Sequence, residues 1–137
     1  MNTVGIWMIW LAGIDLGCVM VANFIVPRML RYRENLATCD LSVQNVFWSH
    51  AFHTVLLLLG MMMGCFLYAE ELWLPQGAVL GGCIFMAGFW TIKVFMHLFF
   101  FNRELKRRYP AFNLIFLAAF VYLAAVFTCL SVKGVLL

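Results

Sequence analysis

Four apolar stretches, each of about twenty residues or more, take up nearly the whole of this 137-residue chain. They run from about Val4 to Val26, Val43 to Ala69, Gly77 to Phe101 and Ala111 to Val132, with only short connections between them. A helix rises about 1.5 Å per residue, so about 20 apolar residues cross a hydrocarbon core about 30 Å thick. Sixty-six per cent of the residues are hydrophobic and 11% are charged, against about 45–50% and 25% in a soluble domain. A water-soluble fold of this size has no means of hiding so much apolar surface. The expected architecture is therefore all-α: a four-transmembrane-helix bundle forming one integral membrane domain over residues 1–137, with the lipid bilayer as its solvent. The four spans leave no room between them for a soluble catalytic domain.

The formal net charge of +3 is not a nucleic-acid footprint, because most of the cations sit in two short loops. Arg28, Arg31 and Arg33 occupy the first connection, and Arg103, Lys106, Arg107 and Arg108 the third. The second carries Glu70 and Glu71 and no cation, and Lys133 stands near the C-terminus. Cytoplasmic loops are enriched in Lys and Arg. This places connections 27–42 and 102–110 in the cytoplasm, and both termini and loop 70–76 on the periplasmic side (N-out, C-out) of a bacterial inner membrane. No Lys or Arg precedes the first span, which thus lacks a signal peptide's basic leader and is expected to be retained. Trp7, Trp10, Trp48, Trp73, Tyr32, Tyr68 and Tyr109 lie near span ends, as interfacial belts require. The basic run from Arg28 to Arg33 reads as a topology determinant, with binding of anionic lipid as the alternative.

Pro27 is expected to end the first span, and Asp40 or Ser42 to cap the second. The five cysteines form no C-x-x-C pair and read as packing residues. Met61, Met62 and Met63 spread around their helix and read the same way.

Five ionisable residues lie within the spans: Asp15, His50, His53, Lys93 and His97. A charged side chain at a helix centre costs about 2.5–3.5 kcal/mol on insertion scales, so each calls for a partner. At 100° per residue, His50, His53, Leu57, Gly60 and Gly64 share one face, with Gly60 and Gly64 forming a G-x-x-x-G pair suited to close helix contact. Gly82, Met86, Lys93, His97 and Phe100 share another, and Asp15 lies with Cys18 and Ala22. These three stripes are expected to converge. In the fourth span Ala118, Tyr122, Ala125 and Cys129 form a smooth stripe suited to helix contact.

Three readings follow. Asp15 pairs with Lys93 while the histidines bond across helices; or His50 or His53 faces His97 to hold a haem b or a transition metal; or Asp15, Lys93 and the histidines form a proton relay.

Three stretches bear on kinship: Val26-Pro27-Arg28-Met29-Leu30-Arg31-Tyr32-Arg33-Glu34-Asn35-Leu36, Gln44-Asn45-Val46-Phe47-Trp48, and Phe89-Trp90-Thr91-Ile92-Lys93 with Phe99 to Glu104. Together they resemble a family of small four-helix bacterial membrane proteins with no assigned activity, a likeness that implies topology alone. Pro27-Arg28 after the first span and Lys93 on the third are also similar in placement to the HemJ-type protoporphyrinogen oxidases, which carry haem. That family has a histidine in its first span, and this chain has none there.

With no nucleophile or phosphate-binding motif, the chain is expected to be an accessory or assembly subunit of a larger membrane complex, its partners being other membrane subunits or further copies of itself. The rivals are a haem- or metal-containing redox protein using His50, His53 and His97, and a proton-relay component of a transporter centred on Asp15 and Lys93.

Overall fold

The computed structural model describes residues 3–137. In chain order the elements are α1 (Thr3–Met29), α2 (Tyr32–Leu36), α3 (Leu41–Leu67), α4 (Ala69–Trp73), α5 (Gly77–Phe99), α6 (Arg103–Arg108) and α7 (Pro110–Leu136). Helices α1, α3, α5 and α7 are each long and apolar enough to cross a membrane. Among the described residues there is no strand.

Local chemistry sets the boundaries. Pro27 does not end α1 as expected but lies inside it. Proline lacks an N–H, so it removes one backbone bond near the helix end, where little is lost. The chain turns four residues later, where Arg31 adopts a left-handed φ of 50°. Asp40 occupies the N-cap position of α3, but its side chain makes no capping hydrogen bond. The second connection is not an open loop: after a break at Tyr68, Glu70 and Glu71 lie on α4, whose Ala69 and Leu72 are buried. In the third connection the Asn102 Oδ1 accepts the Glu104 N–H at 2.9 Å, capping α6. Lys106 Nζ donates to the Leu98 carbonyl at 3.0 Å, satisfying one of the orphan acceptors at the end of α5. Pro110 opens α7, in the first turn, where an N–H would have no intrahelical partner.

The helices pack as two antiparallel pairs, α1 with α3 and α5 with α7, joined along α1 and α7. A single core runs through them, with Ile9 and Leu16 from α1, Cys65 from α3, Cys83 and Trp90 from α5, and Leu123 and Phe127 from α7. α1 approaches α3 through Gly13 and Gly17. A Cβ on Gly13 would lie 3.0 Å from the Phe66 ring, and one on Gly17 3.2 Å from the Met62 sulfur. The G-x-x-x-G that brings two helices together is thus on α1, not the pair expected on α3. Gly60 and Gly64 have nothing within 4 Å of where a Cβ would stand.

Both arginine-bearing connections end up at one end of the molecule, since Arg31 and Arg108 line the same cavity. The other end gathers α4 and the C-terminal turn of α7, where Lys133 Nζ sits 3.1 Å from the Trp73 ring centroid.

Candidate functional site

The polar and aromatic groups within the spans concentrate on the α5–α7 hairpin. Counting outward from α6, His97 and Asn113 reach the same level, and so do Trp90 and Phe120. His97 Nε2 donates to Asn113 Oδ1 at 2.8 Å, and its ring is buried against Phe101 and Phe120. Trp90 is fully buried and stacks on Phe120 with centroids 5.7 Å apart. Its indole nitrogen has no hydrogen-bond partner within the chain.

Lys93 lies between these two levels, and its side chain is exposed. Helical side chains lean toward the helix N-terminus, which for α5 is the end remote from the arginine loops. The lysine follows that rule: its Nζ is 5.8 Å from the centroid of Phe120, the ring at the deeper level. It leans away from the arginine-bearing end of the molecule.

Asp15 does not pair with Lys93. The one ion pair among the described residues is Arg31 with Glu34, at 3.6 Å and exposed. Their helices have different main neighbours, α1 packing chiefly on α3 and α5 chiefly on α7. Tyr122 of α7 donates its hydroxyl to the Met8 carbonyl of α1 at 2.9 Å. Asp15 is half-buried, and its Oδ2 has no hydrogen-bond partner.

The expected convergence of His50 and His53 with His97 does not occur within one chain. Both α3 histidines are exposed, and α3 packs along α1 rather than α5. Gly5 faces Trp73, Gly13 faces Cys65 and Gly17 faces Met62, a constant register that sets His50 level with the end of α1 near Arg28 and Met29. His50 therefore lies beside the end of α1 rather than beside its middle. His53 Nδ1 donates to the Ser49 carbonyl at 2.7 Å, leaving Nε2 free. That arrangement orients an imidazole for a ligand, but among the described residues no three His, Cys, Asp or Glu side chains could hold one metal ion. His97, whose Nε2 is taken by Asn113, does not complete a set with them, and these positions do not fit a haem shared between α3 and α5.

Other stripes also turn out differently. Leu58, Met61 and Cys65 form the packed face of α3, so His50, Gly60 and Gly64 face outward. Ala118, Ala125 and Cys129 of α7 are exposed as well, and only Tyr122 of that stripe reaches α1. The pairing of His97 with Asn113 was missed, although equal counting from the two ends of the α5–α7 connection finds it.

No family model, curated protein or solved structure matches the chain. Fold and site together define a class: a small helical chain with four helices long and apolar enough to cross a membrane, on which Lys93 has no carboxylate of its own chain within ion-pair distance.

Proposed function

We propose that the protein is an accessory or assembly subunit of a larger membrane complex, set in a bacterial inner membrane with its arginine-rich end in the cytoplasm. One observation carries this reading: Lys93 is exposed, leans away from the arginine-bearing end and has no carboxylate of its own chain within ion-pair distance. An unpaired ammonium in hydrocarbon costs about 2.5–3.5 kcal/mol on insertion scales, and pairing with an acidic group of a neighbouring helix removes much of that cost. The outward Gly60 and Gly64 on α3 add a surface on which another helix can approach closely. The orientation is supported by seven cations at one end, against Lys133 alone at the other.

The test is the size of the native assembly in membranes solubilised with mild detergent and resolved on a native gel. Wild type and Lys93→Arg are expected to migrate as one defined species larger than a single chain, and Lys93→Met to fall to single-chain size. A wild type that runs as a lone chain under these conditions, or a Lys93→Met variant that assembles normally, contradicts the proposal.

A second reading, a proton-relay component, is favoured by the partnerless Asp15 oxygen on α1. It requires that Asp15→Asn lower proton flux in reconstituted vesicles, and unchanged flux removes it.

A further inference from the structure

At the arginine-rich end a cavity of about 690 Å³ opens between the first and third connections. Its volume falls within the range of about 300–1,000 Å³ usual for ligand sites. The two cations in its lining come from different connections, Arg31 from the turn after α1 and Arg108 from the end of α6. They meet because α1 ends and α7 begins side by side.

The Arg31 side of the cavity is fixed by its backbone. Arg31 holds its left-handed conformation while its N–H donates to the Arg28 carbonyl at 3.2 Å and its own carbonyl accepts the Asn35 N–H at 3.0 Å. The Asn35 side-chain amide ties the same turn to the Leu30 carbonyl at 3.0 Å. Tyr32 packs edge-on against Phe47 of α3, which anchors this wall to a third element.

The charges are not neutralised internally. The one anion near Arg31 is Glu34, at 3.6 Å in a pair whose side chains are 75% and 71% exposed, and such pairs are weak. Arg108 lies over the Tyr109 ring, 5.7 Å from its centroid, and has no carboxylate within ion-pair distance. Of the two guanidinium groups only that of Arg31 has a carboxylate, and it is loosely held. Arginine forks match phosphate oxygens in pairs.

We propose that this cavity binds the phosphate of an anionic lipid headgroup. Its place at the ends of two membrane-length helices is the headgroup level. Tyr32 and Tyr109 supply the amphipathic rings that favour that level, and Met29 and Leu30 in the same lining give an apolar side toward the acyl chains. A free phosphate ion would make no use of that apolar wall. Basic pockets between helices on the cytoplasmic side recognise lipid headgroups in this way.

The test uses the full-length chain in nanodiscs, with bound lipid counted by native mass spectrometry. Wild type is expected to retain phosphatidylglycerol in preference to phosphatidylcholine, and to lose that preference as salt rises. Arg31→Gln and Arg108→Gln are each expected to weaken retention roughly fivefold, the effect of one surface cation on anionic-lipid binding. Arg103→Gln with Arg107→Gln, which removes equal charge from outside the cavity, serves as the control and is expected to keep the preference. Equal loss in the control, or full retention in the Arg31→Gln, Arg108→Gln double variant, overturns the site. Binding of inorganic phosphate in phosphatidylcholine discs that displaces phosphatidylglycerol overturns the lipid as its ligand.

Discussion

His97 of α5 and Asn113 of α7 are joined by a hydrogen bond of 2.8 Å at matching levels of one helical hairpin. With Trp90 stacked on Phe120 about two turns deeper, it sets the register of the α5–α7 pair. Interhelical polar bonds in membranes contribute about 0.6–2 kcal/mol. His97→Ala and Asn113→Leu are each expected to lower unfolding stability in detergent titrations by about that much. The double variant should lose no more than either alone. Additive losses would show that the two side chains do not act on each other.

Gly13 and Gly17 form the close contact of α1 with α3, whereas Gly60 and Gly64 face outward. Gly13→Leu or Gly17→Leu is therefore expected to destabilise the single chain by about 1–3 kcal/mol, the usual cost of overpacking. Gly60→Leu and Gly64→Leu should leave single-chain stability unchanged and act on assembly alone. If the α3 pair proves the sensitive one in the isolated chain, the assigned helix faces are reversed.

These two glycine pairs show what was legible in the sequence. Four spans could be read from length and hydropathy because each helix needs only enough apolar residues to cross the hydrocarbon. Which face points inward could not. In water a helix shows its buried side by a stripe of apolar residues, but in lipid the outer face is apolar too, so the histidine–glycine stripe of α3 carried no mark of facing outward. Pro27 misled for a related reason, since a lost N–H near a helix end costs little. α3 extends beyond the end of α1 to meet Tyr32, and only the pairing of helices reveals that His50 lies level with that end. Lys93 was found by its charge alone, its lack of a partner only by how the helices pack.

Gly5 has no room for a side chain, because the Trp73 ring occupies the space where a Cβ would lie. Trp73 also carries Lys133 against its face. Gly5→Val is expected to displace that ring and separate α4 from α1, with a destabilisation of about 1–3 kcal/mol. Tryptophan fluorescence of Gly5→Val should shift to the red, with a smaller shift when Trp73 has been replaced by Phe beforehand. An unchanged spectrum would refute the contact.

Asp15 and Lys93 stand on helices that pack chiefly on different neighbours, α1 on α3 and α5 on α7. If further copies of this chain supply the partner, Asp15→Asn should dissociate the assembly as strongly as Lys93→Met. If a different subunit supplies the acidic group, Asp15→Asn should leave the assembly at its full size. Native-gel migration of the two variants side by side separates these cases.

The central claim is that the chain does not stand alone in the bilayer, and its most direct test is native mass measurement of wild-type protein extracted with its surrounding lipid, without detergent, from the host membrane. The mass expected, after subtraction of lipid, is that of the chain together with at least one further polypeptide in fixed proportion. A mass equal to one copy of the 137-residue chain, with no associated polypeptide, would contradict it.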